Sequence, residues 1–297
     1  MHPLEVHAAA PLGRVVVIGA GGFVGRTVVS QLSGTGVELV ALGSRDADLS
    51  SPAAVGILQD RLRADDAVVF VSALTPDRGK DIATLMNNLA MGAHVCAALS
   101  ARRPSHVVYI SSDAVYEERA ALVNESTPCD PPSFHGTMHR VRERMLIEQL
   151  GAAGVPLAVL RPSLLYGAED THNGYGPNRF FRTAIKDKKI TLFGGGEEQR
   201  DHVAVEDLAS IVAATLRTRA TGVLNVATGA SRSFGDIARL IARLVGDGVQ
   251  IEERPRASAI THRHFDPTAM LRAFPEFRPM PLEAGLGRMA DRLGVHP

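Results

Sequence analysis

Two histidines four residues apart, His135 and His139, stand in the run PPSFHGTMHRVRERML, residues 131–146. A helix turns once in 3.6 residues, so a helical run here sets both imidazoles on one face. Histidine exchanges protons near neutral pH, which makes the pair candidates for general acid/base work. The same spacing can hold zinc, but Gly-Thr-Met lies between them, with no glutamate and no obvious third ligand. No metal site is therefore expected. A second chemistry-bearing run is VVVIGAGGFVG, which places Gly19, Gly22 and Gly25 between a β-branched run and a helical pattern. In such a turn the first glycine permits the bend and the second lets a pyrophosphate approach the backbone. The third lets the helix pack on the strand. Phe23 and Val24 complete the turn, and the N–H groups at the helix start face the phosphates.

The elements that position these residues alternate. Apolar runs at 14–18, 37–42, 67–74, 106–112 and 156–163 read as strands, and the stretches near 52–64, 81–101 and 136–150 as helices. Nearly all-apolar strands separated by helices predict an α/β fold, a Rossmann-like doubly wound parallel sheet covered on both faces. After Arg161 the texture turns to glycine-rich and proline-broken loops. That change predicts an NAD(P)-binding Rossmann domain at 12–168 and a smaller C-terminal substrate-binding lobe at 169–297. Within the lobe, 201–228 carries one more buried strand and is expected to return to the first domain.

The 297 residues include 32 Lys plus Arg and 32 Asp plus Glu, so no global field favours nucleic acid or an anionic membrane. Two cysteines, Cys96 and Cys129, give neither a disulfide framework nor zinc spacing. The first residues lack the pattern of a signal peptide, and no apolar stretch is read as approaching the ~20 residues of a membrane span. A cytoplasmic protein is expected.

The end of the second strand bears on cofactor choice. In ALGSRDADL, Gly43 stands where a ribose-binding carboxylate is expected, and Ser44 and Arg45 follow. A guanidinium forks onto a 2′-phosphate, so NADP is favoured, while Asp46 keeps NAD open.

Taken in order, these segments resemble the extended short-chain dehydrogenase/reductase family, of the NAD-dependent epimerase/dehydratase type. The likeness runs from the glycine turn through DADLSSP, VVFVSAL, NNLAMGAHVCAAL, VVYISSDAVY, VLRPSLLYG and GGGEEQRDHVAVEDLA to LNVATG. It implies cofactor contacts from Asp48 and Leu49 beside the adenine, and from Ala73, Asn88 and Pro162. It also aligns Ser112 with the family's catalytic serine or threonine. Gly136 and Glu143 match the family's tyrosine–glycine–x–x–lysine–x–x–x–glutamate run, but His135 holds the tyrosine position and His139 the lysine position. The resemblance thus implies Ser112, His135 and His139 as the catalytic set, with His139 also toward the nicotinamide ribose. Of the four tyrosines, Tyr175 alone is kept as a remote substitute.

On the substrate side the resemblance implies Arg200 for the diphosphate of a nucleotide-sugar, with Asn178 and Arg254 as further contacts. Leu164 and the pair Arg256–Ala257 depart from the family pattern. The expected activity is epimerisation, dehydration or reduction of a nucleotide-sugar. The alternative is a catalytically retired protein that binds NAD(P) or a nucleotide-sugar in a regulatory or non-redox role. Family members often dimerise through the helices at 81–101 and 136–150, so a homodimer is expected. Leu85, Leu89, Val95 and Leu99 fit that interface or ordinary core packing equally.

Overall fold

The computed structural model describes residues 2–257 and 259–295; residue 258 and the last two residues of the expected lobe lie outside them. The chain runs β1 (Arg14–Ile18), α1 (Phe23–Leu32), β2 (Glu38–Leu42), α2 (Ala54–Arg61), β3 (Ala67–Phe70), α3 (Ile82–Arg102) and β4 (His106–Ile110). A 3₁₀ turn (Asp113–Val115) and β5 (Leu122–Val123) lead to α4 (Phe134–Ala153), β6 (Leu157–Pro162) and β7 (Leu164–Tyr166). Then come α5 (Pro177–Asp187), β8 (Lys189–Phe193), β9 (Gln199–Arg200), β10 (His202–Ala204), α6 (Val205–Arg217) and β11 (Gly222–Val226). The chain ends through β12 (Arg232–Ser233), α7 (Phe234–Val245), β13 (Gln250–Arg254), β14 (His264–Phe265), α8 (Thr268–Ala273) and α9 (Leu282–Arg292).

Six parallel strands form the central sheet in the order β11-β6-β4-β3-β1-β2. β1, β3, β4, β6 and β11 are buried at every position, as a sheet covered on both faces requires. One face packs Val16, Ile18 and Val107 against Leu58 of α2, Leu99 of α3 and Leu146 of α4. The other packs Val15, Val17 and Val108 against Val28 of α1 and Leu208 of α6. A separate cluster joins α5, β8, α7 and α9 through Phe180, Leu192, Ile237 and Leu286. Residues 2–5 hydrogen-bond along β11 and blunt that edge, with Leu4 N donating to Val223 O at 2.9 Å.

Three expectations change. β3 stops at Phe70, short of 74, because the chain beyond it leaves the sheet and is held by side chains. Asn88 brackets Leu74, accepting from its N–H and donating to its carbonyl, both at 2.9 Å. α4 begins at Phe134, two residues early, because Ser133 caps it by accepting from Gly136 N at 3.2 Å. Finally, α3 is long and apolar enough to meet the composition of a membrane span, with mean hydropathy 1.3 over its best window. It packs against α2 and α4, and Val95 and Leu99 lie in the core, whereas Ile82 and Met86 are exposed.

α4 is fixed to the sheet by a buried carboxylate. Glu143 accepts from Ser111 Oγ at 2.6 Å and takes two bonds from Arg161, at 2.8 and 2.7 Å. Arg161 also donates to Tyr116 Oη at 2.9 Å, which donates to Asn225 on β11 at 2.6 Å. Glu143→Ala strands the Arg161 charge in the interior, which costs about 3–5 kcal/mol. Urea unfolding checks this, and a loss below about 1 kcal/mol, the size of a surface pair, contradicts it.

Candidate active site

The glycine turn has the shape its residues dictate. Gly19 has φ +101°, and a Cβ there would lie 2.7 Å from Ser72 N. A Cβ on Gly25 would lie 2.1 Å from Gly19 O, so only glycine lets α1 settle on the turn. Gly22 is different. It caps α1 without a side-chain bond, its Cβ would meet only Gly19 O at 3.5 Å, and Gly21 has nothing within 4 Å. The packing of the protein does not demand glycine at 21 or 22, and the first turn of α1 carries no acid. An exposed, uncapped helix start with room before it fits a pyrophosphate.

Around this cradle the expected cofactor residues divide. Ser44 and Arg45 are exposed at the end of β2, and Arg45 makes no hydrogen bond or ion pair among the described residues. Asp46 folds back to accept from Gly43 N at 2.8 Å, which brings a carboxylate to the position that lacks one. Asp48 is exposed and bonded to Ser50, and Leu49 points its side chain into the core. Phe23 packs near Gly167, Val24 against the α1–α6 core, and Ala73 is half-buried in the segment after β3. Pro162 ends β6 opposite Val226. Asn88 is a correction: it is buried and its amide is spent on the Leu74 backbone, so it shapes the segment after β3.

Beyond the end of β4, α4 is pressed against the 3₁₀ turn. A Cβ on Gly136 would lie 2.0 Å from Ala114 O. Ser112 caps that turn, accepting from Ala114 N at 3.1 Å and donating to Asp113 at 3.4 Å. His135 and Ser112 stand on the two elements that this contact joins, next to Gly136 and at the cap of the 3₁₀ turn. The His135 and His139 rings meet edge-on at 4.7 Å. His135 is half-buried, whereas His139 is buried and its Nδ1 lies 2.8 Å from the Tyr109 hydroxyl on β4. Burial lowers the pKa of His135 to about 4, with smaller contributions from His172 and Arg142. Burial, with His135 and Arg142, holds that of His139 well below its usual value. Both imidazoles are neutral at pH 7. Among the described residues no group of three or more His, Cys, Asp or Glu side chains could hold a metal ion.

The substrate-side residues part company. Arg200 donates to the Thr261 carbonyl and, at 3.0 Å, to the Thr261 hydroxyl. It stands near Asp113, whose carboxyl is raised by burial while Arg263 and Arg200 oppose that shift. Asn178 is a second correction, since Oδ1 accepts from Gly167 N at 3.1 Å and Nδ2 donates to Asp170 at 2.7 Å. It ties up its own loop. Arg254 has a side chain 61% exposed, 3.8 Å from Glu252 on its own strand. Arg256 instead meets Glu197 and Glu198, at 3.0 and 3.2 Å. Tyr175 belongs to the aromatic cluster with Phe180, Phe193 and Phe234, so the structure does not bring it to the histidines.

Several residues escaped the sequence. Asp113 directly follows Ser112, and Arg263 pairs with it at 3.7 Å. Arg26 donates to Gly21 O at 2.6 Å and to Glu169 at 3.2 Å, linking the glycine turn to the loop after β7. A cation in the first turn of a helix opposes the helix dipole, which is the signal that could have flagged it. His172 and Asp77, 2.7 Å apart, form a second link between the loops after β3 and β7.

The family model of the NAD dependent epimerase/dehydratase family matches residues 15–227. The chain is 26% identical over 292 residues to a dTDP-4-keto-6-deoxy-D-glucose reductase of Streptomyces niveus, covering 88% of this chain and 96% of that one. It is 26% identical over 322 residues to a dTDP-4-dehydro-6-deoxy-D-allose reductase of Streptomyces bikiniensis, covering 93% and 94%. Among solved structures, the UDP-glucose 4-epimerase of Thermus thermophilus in complex with NAD superposes with a TM-score of 0.82. Identity there is 21%, over 95% of this chain and 99% of that one, a likeness of fold.

His135 gives a pH signature. An unfolded chain protonates it near pH 6.5, the folded chain only near about 4, so its contribution to stability is lost as pH falls through that window. Relative to wild type, His135→Gln therefore gains on the order of 1–2 kcal/mol between pH 7 and 5. Urea unfolding of both proteins at each pH measures this, and a pH-independent difference contradicts neutral burial.

Proposed function

A chain matched by that family model over 15–227 of its 297 residues belongs to the NAD-dependent epimerase/dehydratase family, and we propose that it is a nucleotide-sugar reductase that prefers NADP(H). One observation carries the reading: Gly136 presses α4 onto the turn after β4 that holds Ser112, so a hydroxyl and a neutral imidazole lie on joined elements at the same edge of the parallel sheet where β1 ends in an open glycine cradle. The two reductases among the relatives support reduction of a keto sugar over epimerisation or dehydration.

The cradle's N–H groups and Arg26 hold the pyrophosphate, and the unpartnered Arg45 takes the 2′-phosphate. Asp46 has part of its charge spent on Gly43 N, which leaves the guanidinium the stronger determinant. When bound, the nicotinamide supplies the ring that gives or accepts hydride. The Ser112 hydroxyl, oriented by Ala114 N, hydrogen-bonds the reacting sugar oxygen. His135 moves the proton at that oxygen: as a neutral base it takes one from an alcohol, and its conjugate acid returns one to a carbonyl in the reductive direction. Arg200, freed from Thr261, binds the diphosphate with its planar fork, and Arg263 supports it.

A second reading, a nucleotide-binding protein without turnover, draws on the occupied Nδ1 of His139. The two separate on NADPH consumption at 340 nm with a dTDP-4-keto-6-deoxyhexose. His135→Ala should lower kcat by roughly 10²–10⁴-fold while NADPH affinity changes by less than about twofold. Arg45→Ala should weaken NADPH by roughly 10–100-fold and leave NADH unchanged. Full turnover in His135→Ala removes that residue from the mechanism, and equal losses for both cofactors remove Arg45 as the phosphate contact.

A further inference from the structure

Arg142, three residues beyond His139 on α4, is completely buried, and among the described residues none of its hydrogen bonds is to a carboxylate. Its Nε and Nη2 donate to Asn88 O at 2.9 and 2.6 Å, and Nη1 donates to Ser72 O at 2.7 Å. Its guanidinium carbon stands 5.3 Å from the centre of the Phe70 ring. Room for it exists because residue 92 on α3 is glycine, where a Cβ would lie 2.9 Å from Arg142 Cγ. Burying an unpaired charge costs several kcal/mol. The fold meets that cost directly beneath the two histidines.

One hydroxyl on the sheet meets the pair. Tyr109 is buried, and its oxygen lies 2.8 Å from His139 Nδ1, the hydrogen-bond partner it has among the described residues. A buried phenol with that one acceptor turns its proton toward Nδ1. A neutral imidazole whose Nδ1 accepts carries its proton on Nε2. Among the described residues Nε2 makes no hydrogen bond, and it is not one of the sealed polar atoms, so it keeps contact with solvent.

We infer that Tyr109 and Arg142 are positioning residues: the Tyr109 hydroxyl fixes the tautomer of His139 so that Nε2–H is presented outward as a donor, and the buried Arg142 guanidinium, which shares the Phe70 ring with Tyr109, stands behind the pair as a fixed positive charge. Arg142 then supplies from the interior the fixed positive charge that an ammonium at position 139 would have supplied, and His139 keeps only the task of hydrogen-bond donor, suited to a ribose hydroxyl. This rests on His135 and His139 being the working pair of the site. The other titratable groups around them are Glu143 on α4, Cys96 on α3 and His172 on the loop after β7. Glu143 is consumed by Arg161, burial pushes the Cys96 thiol up to about 12, and His172 is paired with Asp77. Arg142 is the buried cation on the same helix, three residues from His139.

The test is imidazole ¹⁵N NMR of the full-length protein from pH 8 to 5, with the His139 signals assigned from a His139→Gln spectrum. Wild type should show His139 in the Nε2–H form and untitrated at pH 5. Tyr109→Phe, which removes one oxygen, should mix the two tautomers. Arg142→Met, which keeps the length and removes the charge, should raise the proton affinity of His139 by about tenfold or more. Arg142→Lys should restore the untitrated state. Should Arg142→Met fail to fold, Tyr109→Phe carries the test alone. An Nδ1–H form in wild type, a titration near pH 6.5, or a Tyr109→Phe spectrum like that of wild type overturns the inference. These spectra need no nucleotide. A correct tautomer without turnover would sink the proposed function and leave the inference standing, and turnover with the wrong tautomer would do the reverse.

Discussion

The close approach of Gly136 to the Ala114 carbonyl decides where everything else on α4 must lie. Once the first turn of the helix is seated on the turn after β4, its later residues have fixed destinations. Arg142 reaches the backbone at Ser72 and Asn88 on one side, and Glu143 reaches Ser111 and Arg161 on the other. The helix is thus held at three points along its length, and the histidines at 135 and 139 are carried into place by contacts that are not their own. Positioning by a rigid helix is more exact than positioning by loops.

The electrostatics follow from the same burial. A phenol needs a nearby cation before it can exchange protons near neutral pH, whereas an imidazole does not. In the proposed function, two histidines in place of a tyrosine–lysine pair change the requirement. The pair must now be kept from becoming a mutually repelling double cation. Burial does most of this, and the Arg142 guanidinium adds to it. The result is a pair of neutral imidazoles with a buried guanidinium further along the same helix.

Much of this architecture was readable in the amino-acid order. Each central strand is a short apolar run, and the glycine turn announces itself because two of its glycines are demanded by backbone contacts closer than 3 Å. The helix start was misplaced by two residues because the Pro-Pro pair masked the capping role of Ser133. Tyr109 and Arg142 were opaque for a different reason. Tyr109 meets His139 across 30 residues, and Arg142 meets Ser72 across 70, so neither contact has a local pattern. The sequence does not show that the Leu74 backbone consumes the amide of Asn88, or that Gly167 N and the Asp170 carboxylate consume that of Asn178. Arg254 ends β13 and Arg256 lies just beyond it, so which arginine meets Glu197 and Glu198 depends on where the strand stops, which the sequence does not mark.

The most direct test of a histidine-based reductase is to follow the hydride itself. Purified protein, NADPH deuterated at C4 on either face, and a panel of dTDP- and UDP-linked 4-keto sugars would be incubated and the sugars analysed by mass spectrometry. The account predicts one deuterium in the reduced sugar, from one face of the cofactor only. If NADPH binds at saturation and no deuterium reaches any sugar of the panel, the site binds a nucleotide without transferring hydride, and the account is contradicted.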